Sequence, residues 1–523
     1  MKARFLAMSI ALVFIFVACA SDGGTTPAAG DTAEAGQAAE PAPAAQAAEP
    51  AGGDNLPPVT LSMYLMGETV PGLAAVYELL NEKLSAEINA TIDVNFISWD
   101  NMHTQYSLLL ASGQPVDLIF TADWMQFADH ARRGGFMELS IEMLERYAPM
   151  IAARPRHMHD AGRVDGRLYA LVSNESIAYT AVYIVRGDLL ASAGMDNIGS
   201  LEEYGQFLRY VAENVDGILP VDLKGDNFTL KSIWLNENRL AYINTNMVNN
   251  GSLLYSIDDP DVQLMSIFDH EGLLDYFRMV REWQEAGFWA RDALARTVGD
   301  RESFEAGAAA SAISNLSGAA QTYENMSAAR PEWDVRVFNA FNNTPLFAPA
   351  INAAMSIGAT SNNHERALMT LDLLNKNEAF NVLSYSGREG IDFVIENGIA
   401  RVLPDAPYPP GAAGNWGWAN RDFMLTFNFA LPNHNEINDF YMNNGIPLPL
   451  MSFALDTSAP EISGIVPLIF DLQIQHGQPL ALGFQADVEG ALAAYEEAAR
   501  IAGYFTYLEV AQRQIDYYLA SLR

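Results

Sequence analysis

Val59-Thr-Leu-Ser-Met-Tyr-Leu-Met66 opens the part of the chain able to fold, and the run behind it decides the fold class. Its apolar and polar residues alternate, the pattern of a half-buried strand. Residues 72–89 carry apolar side chains at Val76, Leu79, Leu80, Leu84 and Ile88, the spacing of an amphipathic helix. Residues 91–99 alternate again through Ile92, Val94, Phe96 and Ile97. A helix over 101–111 stops at Ser112-Gly113, and a short apolar strand over 116–120 ends at Thr121-Ala122-Asp123-Trp124. A further helix runs to about Arg133, where Gly134-Gly135 closes it. This β-α-β-α-β order predicts a mostly parallel sheet with helices on both faces, an α/β fold. Such sheets bind ligands beyond the carboxyl ends of their strands. Those ends carry Gly67-Glu68, Ser98-Trp99-Asp100 and Asp123-Trp124.

The chain ahead of Val59 is of another kind. Lys2 and Arg4 precede an apolar run over 5–17, broken only by Ser9 and too short to span a bilayer. It ends in Phe16-Val17-Ala18-Cys19, and Cys19 is the only cysteine in the sequence. With no disulfide partner available, the residue reads as an anchoring handle. The pattern resembles a bacterial lipoprotein signal, which implies a signal peptide over 1–18 and lipidation of Cys19 at the extracytoplasmic face of a cell membrane. An ordinary cleaved signal and an uncleaved anchor are the alternatives. Residues 20–58 hold no Lys, Arg or aromatic residue and have too little apolar surface to offset their ordering entropy. As a flexible coil this tether reaches about 35 Å.

The body is long enough for two lobes, each with its own core. Half the chain is apolar and 11% aromatic, as a globular protein requires. With 64 acidic against 30 basic residues the net charge is −34, which disfavours nucleic acid and anionic lipid as partners. The acidity reads as a soluble exterior surface.

Along the body, Ala111-Ser-Gly-Gln-Pro-Val-Asp-Leu-Ile-Phe120 sets a Ser-Gly turn before an apolar strand that opens with Asp. Gly135-Phe-Met-Glu-Leu139 and the hairpin-like Asp165-Gly-Arg-Leu-Tyr-Ala-Leu171 follow. Then come the segment from Tyr179, with Arg186-Gly-Asp-Leu-Leu190, and Phe304-Glu-Ala-Gly-Ala-Ala309 ahead of Ile313-Ser-Asn315. In this order and spacing the chain resembles an extracellular solute-binding lipoprotein of a bacterial ABC importer, of the sugar-binding family 1 type. Tyr385-Ser-Gly-Arg-Glu-Gly390 and Trp416-Gly-Trp418 resemble a subgroup with an extra C-terminal region of unknown function, although Ser386-Gly387-Arg388 is bulkier than the usual turn. The resemblance implies a two-lobed, periplasmic-binding-protein-like fold (type II) with a ligand cleft between lobes. Carried onto this chain, lobe one takes 59–172 and 353–387, and lobe two takes 173–352 and 388–523. It also implies a monomer that delivers its solute to ABC permease subunits. The residues themselves support a return to lobe one, through an apolar strand over 353–357 and a helix over 362–379. They also give a helical C-terminal stretch over 487–522.

Sugars present apolar C–H faces and a belt of hydroxyls, so their sites pair flat aromatic rings with carboxylates and amides. The candidate ligand-binding residues are Glu68, Trp99, Asp123, Trp124, Glu175, Tyr179, Asn315, Trp416 and Trp418. Asp123-Trp124 joins both chemistries at one strand end; its structural alternative is a helix N-cap followed by a core Trp. Glu175 has a hinge salt bridge as its alternative, and one of Trp416 and Trp418 packing under the hinge is theirs. Trp234, Trp283, Trp289 and Trp333 are assigned to the second core. No Gly-x-Ser-x-Gly elbow or Gly-Lys dipeptide is present, and no cysteine remains for a thiol nucleophile or thiolate metal site. His157-x-His159 reads as a solvated loop pair. Asp258-Asp-Pro-Asp261 lacks the Gly and closing Glu of a calcium loop and reads as a turn. No catalytic residue, metal or cofactor is assigned. The expected function is capture of a saccharide or oligosaccharide; a receptor for peptides or another small solute and a cell-surface carbohydrate-active enzyme are the alternatives.

Overall fold

The computed structural model describes residues 56–99, 102–174, 178–223, 228–243, 253–296, 298–342, 345–347, 350–411, 413–428, 430–450 and 453–522. Cys19, the signal and almost all of the tether, Asp100 and Glu175 lie outside the described residues. Eleven strands position the site: β1 (Val59–Met66), β2 (Ala90–Ile97), β3 (Leu118–Thr121), β4 (Ala170–Val172), β5 (Ala178–Tyr179), β6 (Val182–Val185), β7 (Leu219–Val221), β8 (Ala309–Ser314), β9 (Arg336–Asn339), β10 (Leu346–Phe347) and β11 (Ala354–Ser356).

The first sheet has the order β2-β1-β3-β11-β4. β1 pairs in parallel with β2 and β3, whereas β11 runs antiparallel to both β3 and β4. The strand alternation in β1 does what it predicts: Leu61, Met63 and Leu65 are fully buried. The helix after it, α1 (Leu73–Ile88), buries Val76, Tyr77, Leu80 and Leu84. Leu79, expected in that stripe, is exposed, and Tyr77 is buried instead. α2 (Met102–Ala111) and α3 (Phe127–Arg132) complete the alternation, and the His364–Lys376 helix returns to the same core.

The second sheet has the order β9-β6-β8-β7 and a core of its own. Trp234, Trp283, Trp289 and Trp333 all lie in that core. Packing changes sides later than the expected boundary at Gly387: Tyr408, Ala413 and Trp418 belong to the first core, and the second resumes at Leu431. The reason is burial, since Trp418 packs in the first core and bonds to Asn375, Asn381 and Ser384 of the helices there. The C-terminal stretch is two helices, Val488–Ala502 and Tyr504–Leu522, broken at Gly503, which takes a left-handed φ of 95°. His157 and His159 sit on a short helix, Arg156–Ala161, not in a loop, and His159 is buried. Burial holds the His159 imidazole below the ordinary histidine value, so this ring is a packing element. The Asp258–Asp261 run is a turn: Arg239 grips the Asp258 carboxylate, and the Asp259 carboxylate accepts the amides of Asp261 and Gln263.

At the amino end of β3, Asp117 is almost fully buried. Its carboxylate accepts the Ser62 amide at 3.0 Å, the Ser361 hydroxyl at 2.7 Å and the Asn363 side-chain amide at 3.2 Å. One carboxylate thus ties β1, β3 and the approach to the returning helix. Asp117→Ala removes the acceptor from several buried donors, and the expected loss is about 2–4 kcal/mol. Urea unfolding checks it: the midpoint falls while the m-value holds.

Candidate functional site

The carboxyl ends of β1, β2 and β3 share one edge, because the three strands are parallel. The antiparallel β11 brings its amino end there too, with Ala354 opposite both Thr121 and Val172. The passages between the two sheets leave from this edge. β5 and β10 pair as a two-stranded ribbon after one departure and before the other return. A third passage runs alongside: the Asn174 amide donates to Ala419 O (2.9 Å), and the Arg421 amide to Asn174 O (3.1 Å).

Four aromatic rings close into a cycle at that edge. Trp99 lies 6.0 Å from Trp124, Trp124 5.6 Å from Phe120, Phe120 5.8 Å from Trp416, and Trp416 6.0 Å from Trp99, between centroids. Phe120 is the buried floor, Trp124 and Trp416 are half-buried walls, and Trp99 is 49% exposed at the top. The Trp124 indole N–H donates to Asn352 O at 3.0 Å, while the Asn352 side-chain amide faces Asp123 Oδ1 at 3.5 Å. Asn352 ends the turn before β11, so one residue holds both members of the Asp123-Trp124 pair. Gly67 lets Trp99 approach: a Cβ there would lie 3.3 Å from the indole nitrogen, and its φ of 107° suits glycine. Glu68, the next residue, is exposed.

The Trp-Gly-Trp run divides as one of its alternatives anticipated. It forms a tight 3-10 turn, Asn415–Trp418, in which residues two apart point in different directions. Trp416 joins the ring cycle. Trp418 turns into the first core, 1% exposed, with its indole N–H on Ser384 Oγ at 2.9 Å. It is a structural residue, not a ligand platform. Asn315 stands apart from the cycle as well: at the end of β8 its side-chain oxygen accepts the Gly318 amide at 2.7 Å and caps the Leu316–Ala329 helix. Tyr179 pairs through its backbone with Leu346 in the ribbon between the sheets.

Sequence reasoning did not single out Phe120 or Asn352, nor the polar set beyond the second sheet. There Asp222, directly after β7, is fully buried and accepts Arg296 Nη1 at 2.7 Å and the Ser303 hydroxyl at 2.6 Å. Asp300 accepts the Ile313 amide at 2.9 Å, and burial lifts its carboxyl above the usual range against that bond. The signal for Asp222 was available: an acidic residue directly behind a short apolar strand, as at Asp123. Among the described residues no group of three or more His, Cys, Asp or Glu side chains is set to hold a metal ion. Chemically, the edge offers a broad aromatic surface with one exposed ring and amide and carboxylate oxygens beside it.

The two kinds of tryptophan separate by experiment. Trp418→Ala empties a core site and is expected to cost about 3–5 kcal/mol in denaturant unfolding. Trp99→Ala loses two ring contacts at a half-exposed position, an expected cost of about 1–2 kcal/mol.

No family model matches this chain. Over 234 residues it is 20% identical to a carbohydrate ABC transporter substrate-binding protein of Streptococcus pneumoniae serotype 4. That stretch is 44% of this chain and 45% of the relative, less than half of either. The crystal structure of the N-glycan transport solute-binding protein NgtS from Streptococcus pneumoniae, in complex with Man1GlcNAc, superposes with a TM-score of 0.68. It is 17% identical and covers 88% of this chain and 100% of that one. The S. pneumoniae substrate-binding protein FusA, in complex with kestose, gives a TM-score of 0.62 at 12% identity, over 88% and 100% of the two chains. The fold is the α/β, two-lobed architecture of solute-binding proteins. Among the described residues no helix is long and apolar enough to cross a membrane.

Proposed function

We propose that this chain is an extracytoplasmic solute-binding protein that captures a saccharide or oligosaccharide and hands it to an ABC importer. The observation that carries this reading is the ring cycle of Trp99, Trp124, Phe120 and Trp416 at the edge from which the inter-lobe passages leave. Pyranose C–H faces pack on such rings, which bury much area and lose little rotamer entropy. Asp123 and Asn352 lie where hydroxyl groups of a stacked sugar need acceptors and donors. The ligands of NgtS and FusA, Man1GlcNAc and kestose, are both carbohydrates and support the substrate class.

The mechanism is a population shift. A ligand seated on the rings of one lobe and touched by the other only when the lobes close stabilises the closed form. The closed pair of lobes then offers permease subunits a composite surface. Transfer of this kind needs no bond to break, so the reading is a receptor and not an enzyme. The Cys19 pattern supports a lipid tether at the outer face of a membrane, and nothing in the capture mechanism requires a second copy of the chain.

A thermal-shift screen against mono- and oligosaccharides, peptides and polyamines tests the class. A ligand held at a hundredfold excess over its Kd adds about 2.7 kcal/mol, a clear rise in Tm. The expected hit is a saccharide, recovered uncleaved, whose affinity falls about tenfold or more in Trp99→Ala. A peptide hit with silence across the sugars would overturn the substrate class, and a cleaved saccharide would overturn the receptor.

A further inference from the structure

Beyond the covalent passages between the lobes, a set of side chains among the described residues links the two cores. Arg132 ends α3, the helix that starts directly after the Asp123-Trp124 turn. Its side chain is only 13% exposed, and the guanidinium grips the Asp165 carboxylate with Nε and Nη2, at 3.1 and 3.2 Å. The same group reaches the 453–457 loop, donating to Leu455 O at 3.2 Å and Ala454 O at 3.4 Å, with Asp456 Oδ1 at 3.8 Å. One turn earlier Asp129, almost fully buried, accepts the Thr457 hydroxyl at 3.1 Å.

The loop is bolted equally firmly to the other core. Phe453 and Leu455 pack in the second core while Ala454 packs against the first. The Phe453 ring lies 5.4 Å from Tyr518. From the last helix, Gln514 accepts the Asp456 amide at 2.7 Å and donates to Asp456 O at 3.2 Å.

We infer that Arg132 and Asp129 form, with the 453–457 loop, a reversible clasp that ties the first lobe to the second and limits how far the two separate. The argument rests on the kind of bond. The three chain passages persist in any arrangement of the lobes, whereas hydrogen bonds to loop carbonyls break and re-form. The Asp165 grip holds the guanidinium in place while the loop is absent, so re-closing costs little side-chain entropy. Because α3 continues from the turn that carries Trp124, movement at the ring cycle and release of the clasp share one helix. The inference depends on the two-lobed fold and stands whatever the ligand.

Pulsed dipolar spectroscopy on the full chain tests it without a ligand. With Cys19→Ser as background, spin labels at Glu82→Cys on α1 and Glu213→Cys on the Leu201–Asn214 helix report the distance between lobes. The expected result is a longer and broader distance distribution in Arg132→Ala, unchanged in Arg167→Ala, a control arginine on the first lobe that pairs with exposed Glu138. Should Arg132→Ala lose its cooperative melt, Thr457→Val with Gln514→Ala cuts the loop free while sparing the first lobe, and the same shift is expected. A distribution in the folded variant that superimposes on the parent's overturns the clasp.

Discussion

A backbone approach too close for any side chain organises the middle of this molecule. A Cβ at position 414 would lie 2.3 Å from Met66 O, and one at 417 would lie 2.9 Å from Ala354 O. Only glycine tolerates both contacts, and at Gly414 the φ of 64° calls for it independently. With these glycines the chain lies flat across the ends of β1 and β11. Trp416 is thereby delivered to the ring cycle and Trp418 to the core. The third inter-lobe passage begins one residue later, so its position is set by the same contact.

The lining of that passage is polar and buried. The Trp418 carbonyl accepts side-chain amides from Asn375 and Asn381, both at 3.0 Å; Asn420 donates to Asn375 O at 2.7 Å, and Asn174 to Asn420 Oδ1 at 2.8 Å. Arg154 adds a bond to Val172 O at 2.6 Å, the last residue of β4, and burial lowers its guanidinium to about 10. A buried hydrogen-bonded network of this kind favours one geometry, since displacing a bonded member leaves a polar group unpaired.

The ring cycle has a different character. Its members hold one another through stacked, tilted and edge contacts, and its uppermost ring is half in solvent. The polar groups beside it are neighbours that the hinge itself supplies, Asn352 from the turn before β11 and Asp123 from the turn after β3. The candidate site and the passages between the sheets therefore share the same few residues of backbone.

Local pattern carried the first lobe a long way. Period-two and period-3.6 spacing placed β1, α1, β2, α2 and β3 within a residue or two of their observed bounds, because the pattern of burial within each element is set over a few residues. The same spacing misplaced Leu79 and ran the last two helices together across Gly503, where a left-handed φ interrupts an unbroken apolar stripe. It also left His157 and His159 as a solvated pair, since four polar residues in a six-residue helix look like loop. By itself the sequence determined the α/β alternation, the strand ends that carry Trp99 and Asp123-Trp124, and the contrast between an unpackable tract and a globular body. Composition and periodicity act over a few residues, and these are properties of a few residues. Only the tertiary structure decided that Trp416 faces the rings and Trp418 the core, and that Asn352 joins the candidate site from more than two hundred residues beyond Trp124. Each depends on which distant backbone comes within contact distance, and no local spacing encodes that.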